Sequence, residues 1–236
     1  MACSLLPGAF GVFVQGLLFL ISVSVLVYKK KLEERNLRVE ARSWPTFMLD
    51  SSKQLVGAGW VHCLNMLCAS VLGVHMEGNG CEWYWVNIMV DTTLGVGIEY
   101  VLLWALTEAF ESATMDQGTY RSGEYKDSSS GKINLSKFLS QLMVWLLCVT
   151  FMKFGVLILM LSFHSQFEQV AHGFLGAFPQ SSEVQLVVVM LITPCVMNAF
   201  QFWLTDNFIK GQSGSKFGGH SLYDGEGDGE EVPELT

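Results

Sequence analysis

WYWVNIMVDTTLGVGIEYVLLW, residues 83–104, has aromatic residues at both ends and an apolar interior broken mainly by Asn87, Asp91 and Glu99. As a helix it rises about 32 Å from Trp83 to Trp104, close to the ~30 Å hydrocarbon core of a bilayer, with tryptophan at each interface. Similar runs occur elsewhere, so spans are expected at about 9–28, 54–74, 83–106, 138–163 and 184–209. The first run is too long for a signal-peptide core and has no basic residue before it, so cleavage is not expected. The sequence therefore predicts an all-α fold, a polytopic transmembrane helical bundle of about five spans filling residues 1–210.

Composition agrees. Of 236 residues, 50% are hydrophobic and 15% charged, and the mean hydropathy is +0.36. Soluble domains carry roughly 25% charged residues. A water-soluble globule, a nucleic-acid binder and a disulfide-stapled secreted domain are excluded on that basis. The net charge of -8 is unevenly placed, because residues 211–236 hold six acidic side chains against Lys216 alone. That Gly-rich stretch reads as a disordered tail, since it buries too little apolar surface to offset its ordering entropy. Asp224, Glu226 and Asp228 imitate the start of an EF-hand loop, but Leu235 stands where the closing carboxylate belongs.

Orientation follows from the basic residues. Lys29, Lys30, Lys31, Arg35, Arg38, Arg42 and Lys53 fall in one connection, Arg121, Lys126, Lys132 and Lys137 in another, and Lys210 and Lys216 after the last span. With five spans these lie on one side, which the positive-inside rule makes cytosolic. The N-terminus is then luminal and the C-terminus cytosolic. Lys29, Lys30, Lys31, Arg35, Arg38 and Arg42, with Gly123, Glu124 and Tyr125 of the other loop, are the expected contact surface for a partner or for anionic lipid. Cys3 and Cys81 share the luminal side, where an oxidising compartment permits a disulfide between them.

Lys153 is the remaining cation, and it lies inside the fourth span. A charge at such depth needs a partner or a function. Asp91 and Lys153 lie at similar depths, so an ion pair between the third and fourth spans is expected. Asn87, Asp91, Gly95 and Glu99 recur every four residues and form one slowly turning stripe that must face the bundle. His62 and Asn65 on the second span, and Asn198 and Gln201 after Pro194 on the fifth, complete an expected intramembrane polar network. Its bland reading is a buried network that fixes helix register, and its functional reading is a path for ions or protons. Pro194 should kink its span. No metal-ligand spacing, phosphate loop or nucleophile elbow is present in the sequence, so no catalytic residue, metal or cofactor is expected.

The chain resembles the STIMATE family, multi-pass endoplasmic-reticulum proteins that act on the calcium sensor STIM. The carriers are GVFVQGLL at 11–18, LDSSKQ at 49–54 with His62 and Asn65, Asn87 with VDTTLG at 90–95, SGEY at 122–125, Lys153, VMLITP at 189–194 with Asn198, and DNF at 206–208. Asp50, Lys53, Asp206 and Asn207 lie within these motifs and read as an interface motif. The resemblance implies a non-enzymatic regulator that favours the active state of STIM and promotes store-operated calcium entry where reticulum meets plasma membrane. Its implied partners are membrane lipids and a STIM-like sensor or another membrane protein. The endoplasmic reticulum is the implied compartment, and fungal relatives look vacuolar. The competing reading is a small proton- or ion-coupled transporter using Asp91, Glu99, His62 and Lys153.

Overall fold

The structure is a computed structural model that describes residues 9–36, 41–72, 80–116, 118–127, 131–179 and 182–214. The chain runs α1 (Ala9–Arg35), α2 (Trp44–Leu72), α3 (Gly80–Val90), a π-helical turn π1 (Asp91–Gly95), α4 (Val96–Thr114), α5 (Leu135–Ser162), α6 (His164–Gly176), α7 (Ser182–Val187), a second π turn π2 (Val188–Ile192) and α8 (Thr193–Gly214). Among the described residues the only β pairing is one isolated antiparallel bridge, Lys126 to Ile133. The chain is an all-helical membrane protein.

Among the described residues four helical stretches are long and apolar enough to cross a membrane: Val12–Arg35, Glu82–Thr114, Leu135–Ser162 and Val188–Lys210. The second of these runs through α3, π1 and α4 without a break. Five spans were expected. The expected span 54–74 falls on α2, a helix that already starts at Trp44 and carries the polar run Asp50–Gln54 in its early turns. The expected connection 164–183 also differs, because it contains the helix α6.

Local chemistry explains the boundaries. Asn134 sits in extended conformation before α5, and its side chain accepts a hydrogen bond from the Ser136 amide at 2.9 Å, an N-cap that satisfies an otherwise orphaned donor. Met115 closes α4 in the left-handed region, with φ of 54°. π1 places one extra residue in its turn, and the Thr92 and Thr93 hydroxyls donate to the Ile88 and Met89 carbonyls beside it. π2 immediately precedes Pro194, and the Thr193 amide donates to Val188 across the wide turn. The helical irregularity expected at Pro194 thus takes the form of a π turn on its N-terminal side.

α5 is the central element and packs on α2, α4 and π1, while α1 packs along α8 and α3 along α6. Its buried side is a helical stripe through Gln141, Trp145, Cys148, Met152, Val156 and Met160. Phe151, Phe154, Ile158 and Leu161 on its other side are exposed, as a lipid-facing row should be. Two glycines let helices approach closely in a setting where packing, rather than water exclusion, drives association. A Cβ on Gly95 would lie 3.1 Å from Met152 Sδ. One on Gly57 would overlap Trp145 Nε1, with two more indole atoms at 3.2 and 3.3 Å.

Trp145 is 3% exposed and has nowhere to retreat. Gly57→Ala should therefore cost about 1–3 kcal/mol, as overpacking does. Thermal unfolding of detergent-solubilised protein will read this as a lowered midpoint. Gly59→Ala, with nothing within 4 Å of its Cβ, should leave the midpoint in place.

Candidate functional site

The largest polar assembly is built around Arg42, in the connection between α1 and α2. Its guanidinium meets carboxylates from three helices. It is bidentate to Asp206 of α8, with Nη1 and Nη2 each 3.0 Å from a carboxylate oxygen. Nη1 also lies 3.0 Å from Asp50 Oδ2 of α2. Nε donates to Glu33 Oε2 of α1 at 3.2 Å, and the Arg42 amide donates to Glu33 Oε1 at 2.7 Å. The Arg42, Asp50, Asp206 and Glu33 side chains are 7%, 0%, 1% and 5% exposed, so this cage is dry. Arginine suits it, because five donors in a rigid fork can serve several carboxylates at once.

Lysines close the cage. Lys29 lies 3.0 Å from Asp206 and donates to the Trp203 carbonyl at 2.6 Å. Lys30 donates to the Arg42 carbonyl at 2.6 Å and pairs with Glu34 at 3.1 Å. Lys210 reaches Glu33 at 3.2 Å. Gln54 donates to Asp206 at 3.3 Å.

Asp50 carries the lattice onward. It accepts from the Tyr125 hydroxyl and lies 3.7 Å from Lys53. The Lys53 ammonium donates to Ser122 Oγ at 2.6 Å and Gln141 Oε1 at 3.1 Å, and sits 4.9 Å from the centre of the Tyr125 ring. Gln141 in turn donates to the Thr119 and Glu124 carbonyls at 3.3 and 3.2 Å. The 118–134 connection is thereby held on α2 and α5, and the Asn134 amide, donating to the Tyr125 carbonyl at 2.8 Å, ties it to the start of α5.

Burial and charge oppose one another here. For Arg42, burial works against the cation, but hydrogen bonds to Asp206 and the charges of Asp206, Asp50 and Glu33 outweigh it and raise its pKa. For Lys53, burial dominates and pulls the ammonium down to about 8 despite the attraction of Asp50. Burial likewise raises the Asp50 carboxyl, opposed by Lys53 and by the Tyr125 hydrogen bond.

Inside the membrane a smaller triad forms. Lys153 Nζ lies 2.9 and 2.7 Å from the two Asp91 oxygens and 2.8 Å from Asn87 Oδ1, while Asn87 Nδ2 donates back to Asp91 at 3.2 Å. Asp91 opens π1, and the widened turn sits against α5. The rest of the expected network does not join it among the described residues. Glu99 is 2% exposed and its Oε2 has no protein partner, and Asn65 Oδ1 has none either. His62 is exposed, and Asn198 and Gln201 are half-buried on α8.

The expected contact surface divides. Lys29, Lys30 and Tyr125 are buried in the lattice rather than displayed, and Arg42 is its hub. Their partners are acids that the sequence reading placed elsewhere or did not single out. Lys31, Arg35 and Glu124 stay exposed, and Gly123 is half-buried in a left-handed turn with φ of 94°. Of the interface motif, Asp50, Lys53 and Asp206 are joined, whereas Asn207 is exposed beside them. Glu33, Gln54, Gln141, Ser122 and Lys210 were not singled out. Gln54 and Ser122 carried a signal through the LDSSKQ and SGEY motifs, and Gln141 as a lone amide in an apolar run. Arg38, Cys3, the side chain of Cys81 and residues 215–236 lie outside the described residues. No group of three His, Cys, Asp or Glu among the described residues is arranged to hold a metal ion.

Residues 81–211 match the model of the STIMATE family, and the chain belongs to that family. A vacuolar membrane protein of Saccharomyces cerevisiae is 28% identical over 226 residues, covering 88% of this chain and 79% of the relative. No solved structure matches.

Removing Arg42 leaves Glu33, Asp50 and Asp206 facing one another without their shared cation. Arg42→Ala should cost about 3–5 kcal/mol, as breaking a buried pair does, and Arg42→Lys should restore only part of it. Chemical or thermal unfolding in detergent measures both. The depressed Lys53 pKa predicts a pH dependence. From about 8 upward toward the unfolded value of 10.5, the unfolded chain holds a proton that the folded one releases. Stability should therefore rise with pH through this window, and the penalty is fully present below it. The thermal midpoint of the native protein should climb between pH 8 and about 9.5 more steeply than that of Lys53→Met.

Proposed function

We propose that this STIMATE-family chain is a non-enzymatic adaptor of the endoplasmic-reticulum membrane that binds a STIM-like calcium sensor and promotes store-operated calcium entry at contacts with the plasma membrane. In this reading α2 is a fifth span from about residue 54. The N-terminus is then luminal, and the Arg42 lattice sits at the cytosolic end of the bundle. Family membership supports the regulatory role. The observation that carries the adaptor reading over a carrier is the closure of the Asp91–Lys153–Asn87 triad. Lys153 is engaged by both Asp91 oxygens and by Asn87, so these groups hold helices together rather than offer themselves to a passing ion. The buried Glu99 carboxyl, whose Oε2 has no partner among the described residues, is what favours the competing carrier reading.

The lattice also leaves some cations exposed and buries others. Lys29, Lys30 and Arg42 are spent internally, leaving Lys31 and Arg35 on the exposed side of the last turns of α1. An acidic or amphipathic segment of a sensor would meet those two first, each cation near the surface contributing on the order of 1 kcal/mol. The compartment follows the family, and the vacuolar description belongs to the yeast relative.

Lys31→Glu with Arg35→Glu should abolish co-precipitation of a STIM-like sensor and its recruitment to junctions, with protein level and thermal midpoint unchanged. Asp91→Asn should do the reverse, lowering the midpoint and sparing recruitment. Undiminished recruitment by the double reversal, or a pH-dependent flux in proteoliposomes that Glu99→Gln removes, would overturn the adaptor reading.

A further inference from the structure

α6 starts directly where a membrane-crossing helix stops. α5 ends at Ser162, Phe163 follows, and His164 opens α6. The exposed row Phe154, Ile158 and Leu161 leads along α5 to this point, so α6 lies at a membrane boundary. Helices in water show two faces, one packed and one polar. At about 100° per residue α6 shows three.

Ala171, Leu175 and His164 fall within about 40° of one another and form the packed face. Ala171 and Leu175 are 0% and 3% exposed and join the core beneath α3, and the His164 ring lies 4.3 Å from Trp83. Ser165, Gln166, Gln169 and His172 hold a polar arc about 80–200° round on one side, and Glu168 flanks the packed face about 40° from His164. Between these, Phe163, Val170 and Phe174 form an apolar edge about 100° round from the packed face. They are 51%, 60% and 42% exposed, although Phe174 also stacks on Trp85 at 4.6 Å.

We propose that α6 is an in-plane interfacial helix whose Phe163, Val170 and Phe174 edge inserts between lipid chains at the end of α5, with Ser165, Gln169 and His172 in water. The occupant of the edge is the bilayer itself. An apolar edge that begins at Phe163, directly after the lipid-facing row of α5 ends, is covered by lipid without any protein partner. Glu168 is the single acidic residue of α6, and neither lysine nor arginine occurs in it. Attachment is therefore hydrophobic and indifferent to anionic headgroups, unlike that of basic amphipathic helices. Because the packed face holds α3, the helix links that membrane boundary to the element that leads into Asp91. The proposal holds whichever side of the membrane α6 occupies, and so stands apart from the adaptor reading.

The test places the photo-crosslinking residue p-benzoylphenylalanine singly at positions 163, 170, 169 and 172 of the full chain in phosphatidylcholine vesicles. All four native residues are exposed, so none of the changes disturbs the core. Irradiation followed by intact-mass analysis should give lipid adducts at 163 and 170 several-fold above those at 169 and 172. That yield should not change between about 0.05 and about 0.5 M salt, a range over which surface charge effects are strongly screened. Crosslinks to a second copy of the chain at 163 and 170, equal lipid labelling at all four positions, or a yield that falls with salt would each overturn the proposal.

Discussion

The Arg42 guanidinium, held in a dry cage of Glu33, Asp50 and Asp206, is the interaction on which the arrangement of helices at that end depends. A buried cation is costly unless its geometry is good and its donors are used. Here the donors are used by carboxylates on α1, α2 and α8. Each helix is thereby tied to one short connection as well as directly to its neighbours through Lys29, Lys210 and Gln54. Asp50 passes the constraint to Tyr125 and Lys53, and Lys53 passes it to Gln141 on α5.

A second constraint acts at membrane depth, where apolar contact gives no net driving force because lipid is equally apolar. What remains is close packing and polar pairing. Gly95 against Met152 and Gly57 against Trp145 supply the first. The Lys153–Asp91–Asn87 triad supplies the second. π1 serves both, since one wide turn brings Asp91 to α5 and Gly95 beside Met152.

The family match covers residues 81–211, from the start of α3 almost to the end of α8. The Asp91–Lys153 triad, Tyr125, Gln141 and Asp206 fall inside it. Arg42, Lys29, Asp50 and Lys53 lie before it. The cage is therefore assembled from both portions, and Asp206 of the matched portion is buried against cations contributed by α1 and by its connection to α2. Surface chemistry follows from this division of labour. Cations taken into the cage are withdrawn from any partner, and Lys31 and Arg35 are those left outward on α1.

Hydropathy, charge count and span length were enough to determine a helical membrane protein, because water-to-lipid transfer acts on each residue type wherever it sits along the chain. The pairing of Asp91 with Lys153 was legible too, since one strongly disfavoured charge in a span calls for another at equal depth. α6 in place of a connection and the π turns were not legible. They depend on neighbours and on single added residues, not on composition. The same holds for the cage. In sequence, Lys29, Lys30 and Arg42 read as a solvated basic surface, and only tertiary structure decided which cations face inward. The carboxylates Asp50 and Asp206 that meet Arg42 are supplied by other helices, the latter from 164 residues away. No local pattern encodes such a distance, because a desolvated charge is stabilised by whatever the fold brings within about 3 Å of it.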